Sequence, residues 1–422
     1  MMNIKEVVSE KLAEKYYEIE HTSGLRIFVW PKEGYNSTYA IFGTPFGSIN
    51  NHFTFDGKEV RVPDGIAHYL EHKLFESEEG DAFSLYASTG ANANAYTSFD
   101  KTCYLFSCTE NFERCLEILL GFVTSPYFTA ETVLKEQGII GQEIKMYDDS
   151  PDWRVMFNML SAMYKNHPVR YDIAGTVETI AQIDADKLYT CYNSYYNLGN
   201  MALTIVGKVE PEKVIEICDR LIKPCEEVKV ESHFPEEPYE VSKHYVEQIL
   251  PVTLPLFNLG FKGDGSRRLS EKEIAYTDIL LFMLASSTSV MYRELMDKGL
   301  INASFGYEQF EGPGFNSIFF SGDSRDPEQV AEIVKKYIDK YKTEGVPEED
   351  FENARRAVYG ESVSSLNSVD TTANMVEDFF FSGRNIFEYF DAVASATLQD
   401  VEARLKEILD TQNSTLSVVK GA

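Results

Sequence analysis

Apolar positions along this 422-residue chain recur at two spacings, and an element begins or ends where the spacing changes. The stretch "YLFSCTENFERCLEILLGFV" (104–123) opens as an apolar strand, crosses a polar junction, and continues with apolar residues at helical intervals. At 318–341, offset by 214 positions (318 − 104), "IFFSGDSRDPEQVAEIVKKYIDKY" repeats the order of strand, Ser, polar junction and amphipathic helix. Two more pairs follow at nearly the same offset. "TAETVLKEQGIIGQEIKM" (129–146) matches "PEEDFENARRAVYGESV" (347–363), each helical after a turn. "AQIDADKLYTCYNSYYNLGNMALTIVGK" (181–208) matches "ATLQDVEARLKEILDTQNSTLSVVKG" (396–421): a helix opening near Asp184 or Asp400, a short turn, and a closing β-branched strand.

Segments in constant order at near-constant offset indicate a duplicated α+β unit of about 200 residues. The pattern predicts a first domain over 1–225, a linker over 226–245, and a homologous second domain over 246–422. The linker, "EEVKVESHFPEEPYEVSKHY", is rich in charge and Pro and has no helical periodicity.

Composition narrows the function. Hydrophobic content of 44% with 13% aromatics is enough to build two buried cores. A net charge of −28 argues against nucleic acid and anionic membrane surfaces, which need clustered Lys and Arg. The six cysteines (Cys103, Cys108, Cys115, Cys191, Cys218, Cys225) lack C-x-x-C spacing, so reduced buried thiols are expected rather than disulfides or metal ligands. No run of 18 apolar residues occurs, and the N-terminal stretch shows no basic region followed by an apolar one; a cytoplasmic protein is expected.

The chemistry is concentrated in "HYLEH" (68–72). A turn signal at Asp64–Gly65 precedes apolar residues at helical spacing, so His68 and His72 share a helix face and Glu71 can reach it. Two neutral imidazoles and a carboxylate suit Zn²⁺, which in catalytic sites keeps one position open for water. Glu71 is then available as the general base. Glu136 and Glu143 lie seven residues apart, near one face of a later helix; one can complete the metal site while the other orients a ligand or the substrate.

The order H-x-x-E-H, followed about seventy residues later by E-x6-E, resembles the inverted zinc motif of the pitrilysin family, which includes insulin-degrading enzyme and the mitochondrial processing peptidase. The resemblance covers essentially the whole chain and is strongest to the shorter bacterial, YmfH-like members. It implies one Zn²⁺ per chain held by His68, His72 and Glu143, with Glu71 as catalytic base and Glu136 as supporting acid. It further implies that Asn94, Ala95 and Tyr96, in "GANANAYTSFDKTCYLF", pair as a sheet edge with the substrate backbone. The implied fold is two α+β domains, each a mixed, mainly antiparallel sheet with helices packed on one face, enclosing a peptide chamber.

The second half carries no metal motif: the counterpart of His68–His72 falls in "LFMLASSTSV". Relatives often supply an Arg and a Tyr from this half to stabilise the oxyanion. Here "YRELMDKGLINASFGYEQF" (292–310) retains Arg293 and Gly299–Leu300, but Asn302 stands near the Tyr position and Tyr307 follows five residues on. Either Arg293 and Tyr307 act in a shifted register, or a partner completes the site: a homodimer, or a heterodimer with a paralogue lacking the metal motif. The function these residues imply is zinc-dependent endopeptidase action on oligopeptides or unfolded segments. The rivals are a non-catalytic subunit of the same fold and a peptidase dedicated to one precursor. Loss of a ligand or base would mark the non-catalytic form, and all five positions are intact.

Overall fold

Residues 3–77, 80–225 and 228–422 are described by the computed structural model. The strands assemble into two large sheets, one from each half of the chain. The first has seven strands in the order Asn3–Ser9, Glu14–Glu20, Arg26–Pro31, Ala202–Gly207, Thr38–Thr44, Thr102–Cys108 and Asn92–Thr97. The second has five: Tyr245–Ile249, Ser414–Lys420, Leu256–Lys262, Phe315–Asp323 and Gly306–Gly312. In both, one parallel pair adjoins an antiparallel run: Ala202–Gly207 runs parallel to Arg26–Pro31, and Ser414–Lys420 parallel to Tyr245–Ile249. The five strands ending at each of Asn92–Thr97 and Gly306–Gly312 therefore follow one plan, as the repeat predicts.

The paired helices also fall where the offset puts them: Phe112–Val123 with Pro327–Glu344, Ala130–Asp148 with Glu348–Ser365, and Ala185–Tyr195 with Leu398–Ile408. Asp184 is the N-cap of its helix, its side chain accepting from Lys187 N. In the second half the opening lies earlier: Thr397 is the N-cap, and Asp400, the third residue of the helix, completes a capping box with it.

Two helices leave the half that encodes them. The chain resolves into one unit of residues 1–144, 172–233 and 365–383 and another of 145–171, 234–364 and 384–422. Thus Pro151–Met163 belongs to the second unit and Val369–Phe381 to the first, an exchange that boundaries drawn at 225 and 246 do not express. Both are amphipathic, and each covers the side of a sheet opposite its main helical layer, so the expectation of helices on one face is corrected to helices on both. A glycine admits each. A Cβ on Gly43 would collide with Glu377 Oε1 and lie 2.9 Å from Phe381, whereas one on Gly260 would lie 2.5 Å from Met163 Sδ and 2.7 Å from Met159 Sδ.

Within the expected linker, residues 226–227 lie outside the described residues, and Val230–Ser232 forms a strand paired with Phe53–Phe55. Residues 233–244 carry no helix or strand. All six cysteines are free thiols; five are buried as expected, but Cys225 is exposed.

Candidate metal centre

The helix Ile66–Leu74 starts at Gly65, whose φ of 89° is left-handed. A Cβ there would strike the Ala174 carbonyl, so only glycine admits both the turn and the close approach. Every residue of the helix except His72 is buried, including His68, Glu71 and Lys73. Such polar side chains are costly in a core unless paired or put to use. Lys73 pairs with Glu76.

Ala130–Asp148 runs beside this helix, with Val133, Ile140 and Ile144 as its buried stripe. The Tyr69 hydroxyl donates to the Val133 carbonyl and fixes one helix to the other. This brings Glu143 to the histidines: Oε1 is 3.7 Å from His68 Nε2 and Oε2 is 3.4 Å from His72 Nε2. The imidazole centroids are 4.6 Å apart. One atom from each of the three residues lies within 4.8 Å of the others, and no other cluster of this kind occurs among the described residues.

These spacings fit a zinc ion. Ligands at about 2.05 Å in a tetrahedron stand roughly 3.3 Å apart. The observed 3.4 and 3.7 Å separations are close to that edge. Burial and the neighbouring His72 push His68 down to about 4, which keeps it neutral, as a ligand must be. His72 shifts the other way: burial opposes its charge, but the hydrogen bond it donates to Glu136 and the Glu71, Glu143 and Glu136 carboxylates outweigh that.

Glu136 stands behind His72. Its Oε1 lies 3.0 Å from His72 Nδ1, so it accepts from the ring nitrogen turned away from the cluster. Burial raises its carboxyl, but the His72 bond and the charges of His72, Lys73 and Lys135 prevail and lower it. Nδ1 of His68 is buried with no hydrogen-bond partner among the described residues, so only His72 is held from behind.

Glu71 is buried and is not one of the three clustered ligands. Burial raises its carboxyl, partly countered by Thr97 Oγ1, which donates to Oε2 at 2.6 Å. Thr97 is the residue that sequence reasoning missed. The signal was strand alternation: Thr97 shares a face with Ala95 and Ala93 on Asn92–Thr97, the strand already singled out.

Among the described residues that strand is an edge of its sheet, paired on one side only. Asn94 is exposed, and Ala95 and Tyr96 are half-buried. The Tyr96 side chain points away from Glu71, to the covering helix, where its hydroxyl donates to Asn374.

Arg293 and Tyr307 belong to the second unit. Arg293 lies on the helix Val290–Asp297, its Nε donating to the Ser289 carbonyl at 3.4 Å. Tyr307 sits on the edge strand Gly306–Gly312, opposite Phe320, its phenol raised to about 12 by burial and by Glu361 and Asp278. Asn302 closes a turn: its Oδ1 accepts from Ser304 N at 2.7 Å, and its Nδ2 donates to Asp323 at 3.3 Å.

Two family models match the chain. "Insulinase (Peptidase family M16)" spans residues 58–177, which include every metal-site residue named above. "Peptidase M16 inactive domain" spans 182–358. The Bacillus subtilis protein YmfH, described as an uncharacterized zinc protease, is 40% identical over 424 residues, covering 99% of each chain. YmxG of the same organism, described likewise, is 27% identical over 331 residues, covering 75% of this chain and 78% of its own. The crystal structure of an M16-like peptidase from Alicyclobacillus acidocaldarius superposes with a TM-score of 0.93 at 32% identity, covering 100% of this chain and 99% of that one.

Proposed function

The chain belongs to peptidase family M16, the insulinase-type zinc metallopeptidases, and from that premise we propose how its residues cut peptides. It is a zinc-dependent endopeptidase whose metal site is His68, His72 and Glu143. Zinc held there supplies a Lewis acid that lowers the pKa of water and polarises a carbonyl. Glu71 accepts the proton of the attacking water and returns it to the leaving amine. Thr97 fixes the Glu71 carboxylate for that exchange, and Glu136 fixes the His72 ring.

The substrate lies extended along the unpaired edge of Asn92–Thr97 as an added strand, with Asn94, Ala95 and Tyr96 supplying backbone hydrogen bonds. One observation carries this reading: the edge strand that would bind the peptide also holds the general base, through Thr97.

The catalytic domain is the unit of residues 1–144, 172–233 and 365–383. The working form is a homodimer or a heterodimer with a paralogue that supplies an Arg and a Tyr, since Asn302 is engaged in a turn. Six free thiols suit a reducing compartment such as the cytoplasm.

The test is zinc content by mass spectrometry together with cleavage of a quenched peptide, with and without chelator. Glu71→Gln should retain zinc and lose about 10²–10⁴-fold in rate. Undiminished cleavage in that variant, or folded protein purified with zinc available yet without stoichiometric metal, would sink the assignment. Assay of the chain alone and with a co-expressed paralogue decides the partner; equal activity in both defeats the divided site.

A further inference from the structure

The duplicated halves give the molecule an internal control. On the first sheet the helix Val369–Phe381 sets Glu377 over Gly43; on the second, Pro151–Met163 sets Met159 over Gly260. Three residues earlier on each helix, Asn374 of the first corresponds to Met156 of the second. The strand registers correspond too. Gly43 lies opposite Cys103, which lies opposite Tyr96; Gly260 lies opposite Phe319, which lies opposite Glu308.

The contacts at these matched positions differ in kind. Asn374 Oδ1 accepts from the Tyr96 hydroxyl at 3.2 Å. Its Nδ2 donates to the Tyr39 hydroxyl at 3.2 Å and to the Asp370 carbonyl at 2.8 Å. One amide thus ties the edge strand and the strand Thr38–Thr44 to the covering helix, straddling the strand between them. Met156 has no donor and only a weak acceptor, so the second unit has no equivalent. Among the described residues the tie occurs only in the unit whose helices carry the candidate metal ligands.

An edge strand has a hydrogen-bonded neighbour on one side only, and its position depends on whatever else holds it. Successive residues point to opposite faces, so the backbone that Tyr96 anchors from the helix side bears Thr97 on the other, where it donates to Glu71. We propose that Asn374 is a positioning residue of the peptidase: by holding Tyr96, it fixes the edge strand in the place where the peptide pairs. This rests on the reading of that strand given above.

The test compares zinc-loaded wild type, Asn374→Ala, Tyr96→Phe and the double variant in two assays. Amide hydrogen exchange over residues 92–97, without peptide, should be roughly fivefold faster in each variant than in wild type. KM for a quenched peptide should rise by about fivefold with kcat within about twofold, and the double variant should match Asn374→Ala, which already lacks the Tyr96–Asn374 bond. Unchanged exchange and KM in both singles would overturn the proposal. So would effects that add in the double, or a loss of kcat at constant KM. Faster exchange throughout the sheet with a lowered melting temperature would also overturn it, because Asn374 would then be structural only. If wild type loads zinc and cuts no peptide, the function proposed above fails, and the exchange data alone decide whether Asn374 fixes the strand.

Discussion

Glu377 is the position at which pH should act most directly on stability. The side chain has no exposure, sits beneath the sheet of the first unit, and accepts from Thr204 Oγ1 at 2.5 Å. Burial pushes its carboxyl up to about 8, against the pull of the Thr204 hydrogen bond and the Lys101 charge. Between the ordinary 4.5 and 8 the folded protein keeps the proton and the unfolded chain releases it. The unfolded state therefore binds fewer protons over that range, and stability falls as pH rises through it, levelling off above 8. At about 1.4 kcal/mol per unit, the loss is about 3 kcal/mol by pH 7, about 4 kcal/mol by pH 8 and about 5 kcal/mol at the plateau above it.

Glu377→Gln mimics the protonated carboxyl and keeps an oxygen for Thr204. The variant should melt together with wild type near pH 5 and roughly 5–10 °C above it near pH 8. Thermal melts of both proteins at fixed zinc across that range give the difference, in which metal binding and all other ionisations cancel. A gap that does not change with pH, or a wild type that gains on the variant as pH rises, would refute the reasoning.

Glu136→Gln should weaken zinc binding by about 10–100-fold, because the hydrogen bond that orients the His72 ring is weakened and its charge lost. Competition against a chromophoric chelator measures this; unchanged affinity would mean that the ring needs no support. Gly65→Ala should destabilise the protein by about 2 kcal/mol or more, since it demands a left-handed φ and a collision with the Ala174 carbonyl. Its melting curve is the check, and a wild-type curve would show that the turn tolerates a Cβ.

The metal site was legible because it is written locally. His68, Glu71 and His72 lie on one short helix, and Glu136 and Glu143 keep a spacing that any helix converts into a shared face. The duplication was legible for a similar reason, as order and offset survive in a single sequence. Long-range assignment was not. An amphipathic pattern over 151–163 or 369–381 announces a buried stripe but not which sheet it covers, so the exchange of helices emerged only in three dimensions. Thr97 had a strand-parity signal but no motif. Asn302 stood out as a missing Tyr, and only the hydrogen bonds to Ser304 and Asp323 show what it does instead.

The exchanged helices also impose an order on synthesis. A ribosome makes all three metal ligands by position 143 and the last strand of their sheet by Gly207, but the helix that seals the sheet's other face ends only at Phe381 of 422 residues. Until then the face bearing Phe28, Ile41, Cys103 and Thr204 stands open to water, although all are buried in the finished protein. Translation thus delivers the cutting groups early and the cover late. A nascent chain can hold every residue needed to bind zinc while lacking the helix that sets its peptide-binding edge.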